Sequence, residues 1–165
     1  MSSNPITRRA VLRHLTTLSV LSALPFSALA RIITRTPPPS PFDANSTAEE
    51  VTAGIDLSGQ TIAVTGANSG LGYETMRVLA MRGAHVIGIA RTREKAEQAC
   101  ASVQGETTPA FLDLAEWDSV VRCAEDIRAM NTPIDVLITN AGIMALPELQ
   151  LVNGVERQFA INHLG

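Results

Sequence analysis

The sequence predicts an α/β domain of the doubly wound class, in which helices cover both faces of a parallel sheet. From Ala48 onward, short apolar or β-branched runs alternate with segments of helical periodicity. Runs such as Ile134–Ile138 are almost continuously apolar, as strands buried on both faces must be. The chain has 165 residues, 45% of them hydrophobic, which is enough for one packed core.

Each element is predicted from its own stretch of sequence, and the sheet is expected to stop after about four strands. The predicted strands are Thr61–Thr65, His85–Ala90, Ala110–Leu112 and Ile134–Thr139. The predicted helices are Gly70–Met81, Arg93–Val103, Glu116–Met130 and a last one that starts at Gly154 and reaches Leu164.

The first 47 residues are expected to lie outside this domain. Residues 1–30 have the parts of an export signal: Arg8 and Arg9 without nearby acids, an apolar run, and a small-x-small site at Ala28–Ala30. The arginine pair resembles the bacterial twin-arginine motif and predicts an exported, periplasmic protein. An uncleaved membrane anchor and an organellar transit peptide are the alternatives. Residues 31–47 are proline-rich and predict a linker before the domain at residues 48–165.

Composition excludes several classes of function. From Ala48 onward there are 8 basic and 15 acidic residues, and aromatic residues make up 4% of the chain, so we expect no nucleic-acid partner. The membrane would be contacted only through an uncleaved leader. The two cysteines, Cys100 and Cys123, have no His or Cys at ligand spacing, so we expect buried thiols and no metal site.

A glycine-rich turn follows the first predicted strand, in Thr65-Gly66-Ala67-Asn68-Ser69-Gly70-Leu71-Gly72. Gly66 permits a tight turn, Gly70 leaves the backbone open to a pyrophosphate, and Gly72 allows the helix to pack closely on the sheet. Free amides at the helix start would attract phosphate oxygens, which is how an acidic domain can hold a dinucleotide. The turn therefore predicts a nucleotide-binding site.

The spacing Gly-x-x-x-Gly-x-Gly resembles the short-chain dehydrogenase/reductase family, and its retinol dehydrogenase-like and WW-domain oxidoreductase-like branch in particular. Further blocks in the same order support the resemblance: Asp113-Leu114, Asn140-Ala141-Gly142, and Phe159–Gly165 around Asn162. The resemblance covers roughly residues 48 to 165 and implies the N-terminal half of an NAD(P)-binding Rossmann domain.

The resemblance also implies roles for particular residues. Asp113 would hydrogen-bond the adenine amino group, and Asn140 and Gly142 would steady the central strand beside the ribose. The residues expected to bind the cofactor are Gly66, Asn68, Ser69, Gly70, Leu71, Gly72, Arg91, Asp113, Leu114, Asn140, Ala141 and Gly142. Asp113 and Glu116 also match a helix capping box, and Asn140 could simply end a strand. The chain has Thr139 where the family usually has a second Asn.

Cofactor choice is predicted from the end of the second strand. NAD-binding units place an acid about 20 residues into the unit, whereas a basic residue there accommodates the 2′-phosphate of NADP. Here the sequence reads Ala90-Arg91-Thr92-Arg93, with no carboxylate. Arg91 therefore predicts NADP, with NAD less favoured, because a guanidinium can form a forked pair of bonds to a phosphate. The alternative is that Arg91 and Arg93 are merely solvated.

The family's catalytic Ser and Tyr-x-x-x-Lys are not in this sequence. Its one tyrosine, Tyr73, lies 22 residues before its one lysine, Lys95, and is expected beside the phosphates. Asn162 stands where the family places its active-site Asn, with a helix-surface Asn as the alternative. The expected function is NADP(H)-dependent oxidation or reduction of an alcohol or carbonyl substrate by a longer protein encoded past Gly165, for which a homo-oligomer is one option. The 165-residue chain alone should be inactive; the alternative is a non-catalytic dinucleotide-binding module.

Overall fold

The computed structural model describes residues 40–165, of which residues 44–165 form one compact unit. The predicted leader, its twin arginines and the first part of the linker lie outside the described residues. Within that range, none of the helices has the length and apolar character needed to cross a bilayer.

Four parallel strands form the main sheet, in the order β3-β2-β1-β4. The strands are β1 (Thr61–Thr65), β2 (His85–Ala90), β3 (Thr107–Phe111) and β4 (Val136–Ile138), followed by the short antiparallel pair β5 (Leu151–Val152) and β6 (Val155–Glu156). The helices are α1 (Ala48–Val51), α2 (Gly70–Met81), α3 (Arg93–Ala101), α4 (Trp117–Ala129) and α5 (Arg157–Phe159), and α5 continues as a π-helical turn over Ala160–Leu164. The predicted parallel α/β fold is confirmed.

The core has two clusters of buried side chains, and alternate residues of β1 contribute to them. Ile62 and Val64 pack with Met76 of α2 and with side chains of α3. Ala63 instead packs with Ile87 and with Cys123 of α4. Since successive residues of a strand point to opposite faces, helices cover both faces of the sheet at its centre.

The last helix does not begin where the sequence predicts it. Asn153 and Gly154 both have positive φ, 50° and 81°, and they form the tight turn that joins β5 to β6. Helical structure starts only at Arg157, after Glu156 has accepted hydrogen bonds from the amides of Gln158 and Phe159 at 2.8 Å. The prediction that a helix begins at Gly154 is therefore wrong, because this residue belongs to the turn of a hairpin instead.

The outer strand β4 also differs from expectation. It is shorter than predicted, and it is paired with β1 only. Val136 is 41% exposed and Leu137 60% exposed, although the apolar sequence predicts a strand buried on both faces. Within residues 40–165, no strand covers the free edge of β4.

Candidate dinucleotide-binding cleft

A cleft of about 410 Å³ opens at the carboxyl ends of the parallel strands. In open parallel sheets this is where ligands bind, at the point where the strand order reverses. Here the reversal lies between β1 and β4. Of the residues expected to bind the cofactor, all but Gly70 line the cleft; Thr65, Ile89, Ala90, Lys95, Leu112, Ile143, Arg157 and Ile161 line it as well.

The glycine turn has the backbone that its sequence predicts. Gly66 and Gly70 have φ values of +69° and +55°, which favour glycine. A Cβ at Gly72 would collide with the Gly66 carbonyl and the Asn140 amide, so α2 can approach the turn only because residue 72 has no side chain. A Cβ at Gly70 would meet nothing within 4 Å, so the backbone there faces open space.

Thr65 connects the glycine turn to the segment after β4. Its hydroxyl oxygen accepts hydrogen bonds from the amides of Asn140 and Ala141, at 3.0 and 2.9 Å. The side-chain amide of Asn140 donates back to the Thr65 carbonyl at 2.9 Å. Asn140 therefore does more than end a strand, because it joins residues 75 positions apart. Thr65 is absent from the residues predicted for the site, and its only signal in the sequence is a hydroxyl directly before the glycine turn.

Of the three cationic side chains that follow β2, two line the cleft. Arg91 is exposed and lines the cleft directly after the strand, whereas Arg93 does not line it. Lys95 also lines the cleft, and its backbone amide donates to the hydroxyl of Thr92, the residue that caps α3. The sequence pattern assigns Lys95 no part in the site, so its place in the cleft is a finding of the structure.

Asp113 lies on the far side, after β3, and its carboxylate accepts from the amide of Ala115 at 3.0 Å. Its own amide donates to the hydroxyl of Ser119 at 2.9 Å. The capping box proposed with Glu116 does not form, because α4 begins at Trp117 and Glu116 makes no side-chain cap. Asp113 is the one acidic side chain among the residues that line the cleft.

The side-chain oxygen and nitrogen of Asn162 both bind the segment that follows β4. Its Oδ1 accepts from the Ile143 amide at 2.9 Å, and its Nδ2 donates to the Ile143 carbonyl at 2.7 Å. Asn162 does not line the cleft itself, but Ile143 does. The side chain is exposed, yet it is bound to a neighbouring segment rather than only to solvent.

Other titratable side chains lie outside the cleft. Tyr73 belongs to the first turn of α2 and does not line this cleft; its hydroxyl is 2.9 Å from that of Ser102, in an adjoining pocket that Asn68, Ser69 and Lys95 also line. Burial raises the pKa of both the Cys100 and the Cys123 thiols, which keeps them protonated. Within residues 40–165, no group of three or more His, Cys, Asp or Glu could hold a metal ion.

Comparison with known proteins places this architecture among dehydrogenases. Residues 60–165 match the family model described as short chain dehydrogenase. Human WW domain-containing oxidoreductase is 41% identical over 129 residues, which are 75% of this chain and 31% of that protein. Human retinol dehydrogenase 13 is 40% identical over 66% of this chain and 34% of its own length. The chain thus spans about a third of these curated relatives.

Solved structures agree with the sequence matches. The crystal structure of an uncharacterized protein from Mycobacterium paratuberculosis is 44% identical, with a TM-score of 0.60 over 67% of this chain and 40% of that one. A short chain dehydrogenase/reductase family protein is 34% identical, with a TM-score of 0.54 over 67% of this chain and 46% of the other.

Proposed function

The chain belongs to the short-chain dehydrogenase family, and on this premise we propose that it is the cofactor-binding half of an NADP(H)-dependent oxidoreductase. The assignment as an oxidoreductase of this family rests on the matched family model and on the relatives. The preference for NADP(H) rests on one observation: Arg91 and Lys95 both line the cleft after β2, where no carboxylate lines it.

The cleft has the features that a dinucleotide needs. The open backbone at Gly70 and the amide groups at the start of α2 would receive the pyrophosphate, with Asn68 and Ser69 beside them. Arg91 and Lys95 would bind the 2′-phosphate through charged hydrogen bonds. Asp113, Leu114, Asn140, Ala141 and Gly142 would form the adenosine end of the site.

When bound, the nicotinamide supplies or accepts the hydride in the exchange with an alcohol or carbonyl substrate. In this proposal the residues described here bind and orient the cofactor. Asn162 would fix Ile143 and the rim of the cleft through its two hydrogen bonds. We propose that the Ser and the Tyr-x-x-x-Lys pair belong to a part of the protein outside these 165 residues, in keeping with the third of the relatives' length that the chain spans.

Activity of the longer protein tests this proposal. A protein that extends the reading frame past Gly165 should consume NADPH in the presence of carbonyl compounds, and a Tyr→Phe change in its Tyr-x-x-x-Lys should abolish this. The 165-residue chain should bind NADP without turnover. If the reading frame contains no such motif while NADP still binds, the non-catalytic module is the correct function.

We also propose that the protein acts outside the cytoplasm, because residues 1–30 carry a twin-arginine-like export signal. Such a route suits a cargo that folds around a cofactor before export. Changing Arg8 and Arg9 to Lys should retain the precursor in the cytoplasm. Fractionation that finds the unmodified protein in the cytosol with its N-terminus intact would contradict export.

A further inference from the structure

Residues 143–145, which continue the cleft wall after β4, are held by hydrogen bonds more than by packing of their side chains. Met144 is 86% exposed, and Ala145 is exposed as well. Ala145 also has a φ of 56°, in the left-handed region that an alanine rarely adopts. A short segment with this backbone keeps one position only if its surroundings hold it there.

Two side chains from α5 and its π-helical continuation hold this segment. Asn162 binds the amide and the carbonyl of Ile143. The Oε1 atom of Gln158 accepts from the Ala145 amide at 3.0 Å. Because Gln158 and Asn162 are four residues apart, they lie on the same helical face. Within residues 40–165, the main chain of residues 142–149 makes no other hydrogen bond, so without Gln158 the segment would be anchored at Ile143 alone.

This segment lies toward the end of the cleft that a nicotinamide would reach. In the proposed function, the 2′-phosphate lies after β2 and the pyrophosphate at the glycine turn after β1. The nicotinamide is attached on the other side of the pyrophosphate, and the next strand in the order β3-β2-β1-β4 is β4. In the segment after β4, Ile143 supplies the large apolar side chain that lines the cleft. An apolar wall suits the ring, because it shields one face from water.

We propose that Gln158 is a positioning residue for the cofactor, which holds Ala145 and thereby keeps Ile143 in place against the nicotinamide end of the dinucleotide. Gln158 is half-buried and does not line the cleft, so it acts through the segment and not by touching the ligand. This rests on the proposed function, since it concerns one end of the same cofactor. A change at Gln158 should therefore affect binding of the nicotinamide and leave binding of the adenosine 2′-phosphate intact.

The test compares two ligands that share the adenosine 2′-phosphate. NADPH carries the nicotinamide, whereas adenosine 2′,5′-bisphosphate ends at its 5′-phosphate. Their dissociation constants are measured by calorimetry for the unmodified chain, for Gln158→Leu, which removes the acceptor, and for Gln158→Glu, which keeps a side-chain oxygen for the Ala145 amide. Emission of the reduced nicotinamide, which rises when the ring leaves water, is recorded with NADPH. Gln104→Leu, at an exposed residue outside the cleft, is the matched control.

Gln158→Leu should weaken NADPH binding about five-fold, the effect of one lost hydrogen bond, and lower the emission of the bound nicotinamide. Binding of adenosine 2′,5′-bisphosphate should change less than about two-fold, which also shows that the variant is folded. Gln158→Glu and Gln104→Leu should leave the ratio of the two constants and the emission unchanged. If Gln158→Leu does not fold, Gln158→Asn, whose amide lies one carbon closer to the main chain, makes the same comparison.

Three results would overturn this inference alone. Equal weakening of both ligands would assign Gln158 a general structural role, and unchanged binding would assign it none. A Gln158→Glu variant that behaves like Gln158→Leu would show that the hydrogen bond to Ala145 is not the cause. An unmodified chain that binds neither ligand overturns the proposed function as well.

Discussion

The centre of the sheet and its β4 edge are built from similar sequence but reach different states of burial. All five residues of β1 are buried, and the glycine turn, Arg91 and Asp113 surround the cleft above it. At β4, Leu137 is 60% exposed, and Met144, in the segment that follows, is 86% exposed. Strand sequence alone does not bury a strand; helices and neighbouring strands do. The β1–β2 side carries the groups proposed to bind the cofactor, whereas the β4 side presents exposed apolar side chains.

The largest loss of stability should come from a substitution where the backbone packs most closely, at the centre of the sheet. Gly72→Ala places a Cβ against the Gly66 carbonyl and the Asn140 amide, neither of which can move away easily. We expect a loss of about 2 kcal/mol or more in the free energy of unfolding, because overpacking strains a core that cannot adjust.

Urea denaturation measures this change, with Gly142→Ala on the β4 side as the matched substitution. A Cβ at Gly142 would meet the Asn162 side chain only at 3.4 Å, an ordinary contact, and should cost less than about 0.5 kcal/mol. Equal losses for the two variants would remove the distinction between the two regions.

The second effect is on cofactor choice. Arg91→Asp should weaken NADP binding by about 2 kcal/mol, roughly 30-fold, and improve NAD binding, because it replaces a phosphate-binding cation by an acid. Arg93→Asp, two residues away but outside the cleft, is the control and should leave the ratio of the two affinities unchanged. If Arg93→Asp shifts the ratio as much as Arg91→Asp, the general field of the domain, not a local contact, selects the cofactor.

The third effect tests the connection between the two regions. Thr65→Val removes the acceptor for the amides of Asn140 and Ala141 and should cost about 1 to 3 kcal/mol of stability. Thr61, in the same strand, accepts from neither amide, so Thr61→Val should cost much less. Hydrogen exchange should report the loss at Asn140 and Ala141, which lie after β4. Unaltered exchange there would show that the β4 side is held by other contacts.

The smallest effect concerns the β4 side alone. Hydrogen bonds from the amides of Gln158 and Phe159 lower the pKa of Glu156. Because the folded-state pKa lies below the unfolded one, this contribution is present above the ordinary glutamate pKa and is lost as pH falls through the lowered value. The protection of the Gln158 and Phe159 amides, measured as their exchange rate relative to that of an unstructured amide at the same pH, should fall on acidification, and Glu156→Gln should remove that pH dependence. Protection that does not change with pH in the unmodified protein would contradict this.

The two regions are also unequal in how far the sequence predicts them. The bounds of β1, α2 and β2 agree with prediction because their signals are local: buried runs, and glycines whose positive φ defines the turn. The β5–β6 hairpin is not predicted, although Asn153-Gly154 between apolar residues is a strong hairpin signal, because the same residues also fit a helical periodicity. The contribution of Thr65 depends on residues 75 positions away, which no local pattern specifies.

Cofactor binding to the unmodified protein tests the central claim most directly, namely that the cleft over β1 and β2 is an NADP(H) site. Calorimetric titration with NADP and with NAD, together with amide chemical shifts at Gly66, Gly70 and Gly72, gives affinity and location in one sample. We predict that NADP binds at least about ten-fold more tightly than NAD, because its 2′-phosphate adds a charged hydrogen bond, and that it shifts these glycines. Equal affinity for the two dinucleotides, or binding that leaves the glycine turn unshifted, would contradict the claim.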